Sequence, residues 1–74
     1  MTFDEYIQSL NPEQLEAFAE RARVSVNYLT LHLMPRRKVP RKELMRRLAD
    51  SAAPKVERLA VLEHFYPEMF KDVA

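Results

Sequence analysis

Apolar residues recur along this chain at spacings of three and four and nowhere alternate over more than a few positions. That pattern predicts helices rather than strands. Phe3, Ile7 and Leu10, with Tyr6 beside them, fall on one face of a first helix. Thr2 is suited to cap it, and Asp4 and Glu5 sit in its first turn, where the helix dipole favours negative charge. Asn11 to Gln14 marks a second start: Asn11 caps, Pro12 takes the first helical position, and Gln14 can close a capping box. Leu15, Phe18, Ala19 and Ala22 line the inner face of this helix, while Glu13, Glu16 and Glu20 stay wet. It is expected to end at Ala22 or Arg23. Ser25 can then cap a third helix beginning at Val26, with Leu29 and Leu33 inward and Asn27, Tyr28, Thr30 and Leu31 pointing elsewhere. Pro35 is expected to forbid helical backbone at Met34 and to stop this helix after little more than two turns.

Residues 35–40, PRRKVP, read as a loop pinned by proline at each end. A fourth helix is expected from about Arg41 to Ser51 or Ala52, with Leu44, Leu48 and Met45 inward and Arg46 and Arg47 outward or sideways. Ala53-Pro54 should end it and open a fifth, turned inward by Val56, Leu59, Ala60 and either Leu62 or Glu63. Tyr66-Pro67 breaks the chain again, leaving Glu68 to Val73 for a last turn or two with Met69 and Phe70 inward. The expected fold is all-α: one small domain over residues 1–74 with five helices, or six counting the last. There is no internal repeat, low-complexity tract or long linker.

Composition narrows the chemistry. At 74 residues the chain is near the lower limit for a core without staples, and it has no cysteine to supply one. Its two histidines, His32 and His64, have no ligand-spaced partner, so neither a metal nor another cofactor is expected. His64, beside Phe65 and Tyr66, reads as packing. No nucleophile elbow or metal motif occurs, and a chain without glycine has difficulty building a phosphate-cradling loop, so no enzyme is expected. Turns must be made by proline, or by Asn or Arg in a less favourable backbone conformation. No apolar run approaches the roughly 18 residues of a membrane span, and MTFDEY lacks the base-then-apolar pattern of a signal peptide, so a cytoplasmic protein is expected.

Net charge is only +1, but it is unevenly spread. Residues 1–20 hold five acids and no base, whereas residues 35–48 hold seven bases against Glu43 alone. A molecule with one positive end suits a polyanionic partner.

The basic stretch follows a particular constellation. Ala19 is a small residue where two helices could cross, Ala22 is the last inner residue of the second helix, and Val24 is the apolar residue after the turn. Leu29 and Leu33 anchor the next helix. These are the demands of a helix-turn-helix, over about residues 12–34, whose second helix at about 25–33 lies in the DNA major groove. A helical extension over about 54–74 follows.

The run from Ala19 to Leu33, AERARVSVNYLTLHL, followed by RRKVPRKELMRRLA, resembles the small Cro-type repressors of bacteriophages and their prophage relatives. The order of elements is similar over residues 3–52, and the motif itself over Ala19–Leu33. The resemblance implies operator binding to double-stranded DNA as a homodimer, with repression of transcription in a bacterial or phage-infected cell. Ser25, Val26 and Asn27 match the start of the family's recognition helix, and Thr30 and Leu31 match its next exposed turn, which makes these five the expected base contacts. Asn27 suits adenine, Thr30 a base or phosphate, and Val26 or Leu31 a thymine methyl. Arg36, Arg37, Lys38, Arg41 and Lys42 match the family's basic loop and are expected on phosphates. Tyr28 joins them as a phosphate contact, or else packs on the edge of the core.

Arg23 stands where the family favours glycine, and a left-handed Arg costs about 1 kcal/mol. His32 stands where an inward aliphatic residue is usual, so either His32 is partly buried or the helix rotates Leu31 inward. Many relatives end in strands that dimerise. Residues 54–74 here read as helix, which leaves the dimer interface unassigned. A different class of partner also suits the charge: a helical interaction module binding an acidic protein. RNA fits less well, because the reading surface has no exposed aromatic platform.

Overall fold

The computed structural model describes the backbone of residues 1–71 and the side chains of residues 1–69. It contains α1 (Phe3–Ser9), α2 (Pro12–Ala22), α3 (Val26–Tyr28) running into a π-helical turn (Leu29–Leu33), α4 (Lys42–Ala52), α5 (Arg58–Phe65) and α6 (Pro67–Lys71). The fold is all-helical, with six helices and no strand among the described residues. No helix among them is long and apolar enough to cross a membrane. The inward placement expected of Phe70, and a last helix reaching Val73, lie outside the described residues.

The first two helices start where local chemistry says they should. Thr2 Oγ1 accepts the Glu5 N–H at 3.0 Å while Glu5 Oε1 accepts the Thr2 N–H at 2.9 Å. The Thr2 N–H first, and the Thr2 hydroxyl after it, hold the Glu5 carboxyl below its usual range. Asn11 Oδ1 accepts the Gln14 N–H at 2.8 Å, and Gln14 returns the bond to the Asn11 N–H at 3.0 Å. Both are capping boxes.

α2 stops because Arg23 turns left-handed, at φ 58° and ψ 48°. The Arg23 N–H then reaches the Glu20 carbonyl at 3.1 Å and the Val24 N–H reaches Ala19 at 3.0 Å. These paired bonds satisfy carbonyls that the helix end leaves open. Ser25 Oγ then caps α3 by accepting the Tyr28 N–H at 3.0 Å.

Pro35 acts differently from expectation. Met34 remains helical, at φ −67° and ψ −41°. The Met34 N–H bonds Leu29 at 2.8 Å and the Arg37 N–H bonds His32 at 2.9 Å, each five residues back. In an α-helix the Pro35 ring would press on the carbonyl four residues earlier and offer it no N–H. The wider π turn relieves that pressure, so the proline changes the winding instead of ending the helix at once. A second left-handed arginine, Arg36 at φ 64°, completes the exit.

The core gathers around Phe3, Phe18, Leu29, Leu33, Leu48, Val56 and Val61, all fully buried. Phe3 is its aromatic hub, with ring centroids 6.1 Å from Phe18, 5.5 Å from His64 and 6.1 Å from Phe65. α2 packs on α4, α4 on α5, α5 on α1, and α3 on α2.

The C-terminal part departs most from the sequence pattern. Pro54, in a cis peptide with Ala53, leads into a turn, and α5 begins only at Arg58. Val56 is buried within that turn, before the helix. Because α5 starts late, its inward face is set by Val61, His64 and Phe65, and Leu59 is left 62% exposed. Met69, also expected inward, is 67% exposed.

Candidate nucleic-acid interface

α3 and its π turn present two faces. Leu29 and Leu33 are fully buried, whereas Ser25, Asn27 and Leu31 are exposed and Val26, Tyr28 and Thr30 are half-buried. Leu31 is 57% exposed and His32 half-buried, so of the two arrangements open for this helix the first holds. His32 is kept at the core edge by the Tyr28 ring, 5.3 Å away.

Hydrogen bonding sorts the expected contacts further. The Asn27 side-chain amide has no partner within the chain among the described residues and keeps all its donors and acceptors for a ligand. Ser25 Oγ already accepts the Tyr28 N–H, which leaves its own hydrogen to donate outward. Thr30 Oγ1 donates to the Val26 carbonyl at 2.9 Å, so outward it can only accept. An exposed Asn and an exposed Leu are therefore the least committed groups on this face.

The basic residues divide as well. Lys38, Arg41 and the edge of Tyr28 line one open groove of about 490 Å³, together with Val39, Pro40 and Leu44. α3, the loop after it and the start of α4 meet there. Lys38 and Arg41 make no side-chain hydrogen bond or ion pair among the described residues, and neither do Arg37 and Lys42, their exposed neighbours in sequence. Arg36 goes elsewhere: its Nε donates to the His64 carbonyl at 2.6 Å, which ties the loop to the end of α5.

Arg47 also lines this groove, and the sequence pattern assigns it no role there. Its Nε donates to the Ala22 carbonyl at 2.8 Å, closing the C-terminal end of α2 from α4. A signal is present in its position between the inward pair Leu44 and Leu48, which puts it on the flank of α4. Among the described residues the only acid lining the groove is Glu43, and it faces Arg46 along the helix at 3.6 Å.

No protein-family model, curated protein or solved structure matches the chain.

His64 supports this region from below. It is buried, with Nε2 3.3 Å from the Leu33 carbonyl, the last residue of the π turn. Burial holds its pKa below the ordinary histidine value, reinforced by the Arg36 charge and opposed by the bond to Leu33. The ring is thus favoured neutral, as a donor from Nε2. Its neighbours Phe3 and Phe65 make it a packing residue, at 5.5 and 4.8 Å between ring centroids.

Proposed function

We propose that this protein is a sequence-specific binder of double-stranded DNA and a transcriptional repressor of the Cro type. The helix at about 25–33 enters the major groove, and the basic loop fixes register on the backbone. A homodimer would read two half-sites of a pseudo-palindromic operator. The observation that carries this reading is the groove shared by Tyr28, Lys38 and Arg41. It sets unpaired cations directly against a helix whose outer face offers Asn27 and Leu31. Exposed like charges repel one another, and a polyanion reverses that cost.

In this reading Asn27 and Leu31 carry most of the discrimination, each good base contact being worth about 1–3 kcal/mol. Val26, Thr30 and Ser25 lie around them. Arg37, Lys38, Arg41 and Lys42 hold phosphates, and Arg36 divides its guanidinium between the His64 carbonyl and the backbone.

Selecting sites from a random duplex pool and titrating the enriched duplex against a scrambled one tests the reading. Preference for the selected site is expected to fall with Asn27→Ala, by a factor of about 5–150. Arg37→Ala with Lys38→Ala is expected to weaken both duplexes alike and to flatten the salt dependence by about 0.9 for each phosphate no longer neutralised. Equal binding of selected and scrambled duplexes by the wild type would overturn the reading. Salt-dependent binding to an acidic protein, with none to duplex, would favour the interaction module instead.

A further inference from the structure

We propose that the groove between α3, the basic loop and α4 is a seat for one phosphate diester, and that Arg47 is its pre-positioned ligand. The inference rests on the DNA-binding reading and adds a residue to it from outside the basic loop. Four residues with donor side chains line the groove: Tyr28, Lys38, Arg41 and Arg47. None has an intramolecular acceptor among the described residues except Arg47, and that one bond uses Nε alone. Arg47 is only half-exposed, yet no half-buried side chain in the described part has an unpartnered nitrogen sealed from solvent. Its two terminal nitrogens, on a side chain that lines the groove, are therefore reached by solvent with all four of their N–H bonds unused. The remaining charge in the seat, Glu43, is drawn toward Arg46.

The Ala22 carbonyl gives this arrangement its value. A guanidinium fixed at Nε keeps the plane of its terminal nitrogens fixed too, and a planar fork aimed in advance loses little freedom when it takes two phosphate oxygens. Lys38 and Arg41 reach the seat from a loop and are less constrained before binding. Tyr28, held against His32, would donate its hydroxyl to the same phosphate. The bond to Ala22 also joins phosphate binding to the end of α2, so the seat and the turn at Arg23 are placed by one side chain.

Arg47→Gln tests this, because the Gln amide nitrogen stands at the position of Arg Nε. The variant can keep the bond to the Ala22 carbonyl while losing the charge and the terminal nitrogens. Thermal stability is expected to stay close to wild type. The slope of log affinity against log salt should fall by about 0.9, and duplexes of any sequence should bind roughly five- to tenfold more weakly. Arg47→Lys, which keeps the charge but cannot place a nitrogen at Nε, should retain most of the slope and lose stability. A slope unchanged in Arg47→Gln on a duplex the wild type binds overturns the inference and leaves the DNA reading intact. Inorganic phosphate, titrated into both proteins by NMR, separates the two claims. Saturable shifts at Tyr28 and Arg47 in the wild type alone support the seat even where duplex binding fails, which would overturn the DNA reading only. Absence of both overturns the seat.

Discussion

α1 and α2 are closed at their starts by adjacent residues, while the π turn, the basic loop and α4 are held from a distance. In the first pair each start is closed by residues three apart, Thr2 with Glu5 and Asn11 with Gln14. In the second region α4 begins without a side-chain cap, α3 runs into a π turn, and left-handed arginines stand before and after that pair. That region is held instead by partners more than twenty residues away: Arg47 on Ala22, Arg36 on His64 and His64 on Leu33. The difference teaches that the starts of α1 and α2 are set by adjacent residues, whereas the basic face is a set of exposed groups braced from behind.

The harshest way to break this contrast is Phe3→Ala. The ring belongs to α1, yet it touches Phe18 of α2 and His64 and Phe65 of α5. Its loss is expected to cost about 3–5 kcal/mol. Chemical denaturation should show both regions failing together. Separate unfolding of residues 1–22 would mean that α1 and α2 do not depend on the basic region.

Asn11→Ala should be milder and local, at about 1 kcal/mol. Hydrogen exchange is expected to lose protection in the first turn of α2 while leaving the π turn unchanged. Spread of the effect to Leu29–Leu33 would contradict a self-sufficient start.

The gentlest probe is pH. The His64 pKa is lowered in the folded protein from an ordinary value of 6.5, by burial first. Above that value both states are neutral and the contribution is flat. As pH falls below it the unfolded chain takes up a proton that the folded chain resists, so stability declines with falling pH until the folded ring titrates too. Melting temperature should fall correspondingly in the wild type, and the decline should be shallower in His64→Asn. Equal slopes in the two proteins would remove His64 from the bracing of the basic region.

These contrasts also explain what the sequence could reveal. The starts of α1, α2 and α3 are legible because each depends on a few adjacent residues, and Leu29 and Leu33 are legible because four-residue spacing persists across the turn. The left-handed Arg23 follows from the lack of glycine in a chain that has to turn there. The π winding is hidden, because Pro35 disfavours the α pattern without naming what replaces it. The inner face of α5 is misread from spacing because its start depends on a turn that buries Val56 from outside the helix. On the candidate interface, side-chain exposure at Asn27 and Leu31 is readable from periodicity. The double role of Arg47 is not, since its acceptor lies 25 residues away.

The absence of glycine has a consequence for the state the protein folds from. An unfolded chain of 74 residues with no glycine samples fewer backbone conformations than an average chain of that length, so ordering it loses less entropy. A replacement of Gly by Ala at a compatible site is worth about 0.4–1 kcal/mol by this route alone. A small core is thereby helped by disorder the chain never had. Arg23 and Arg36 are where the same restriction is felt in the folded state, as two strained turns in which a charged side chain replaces a flexible one.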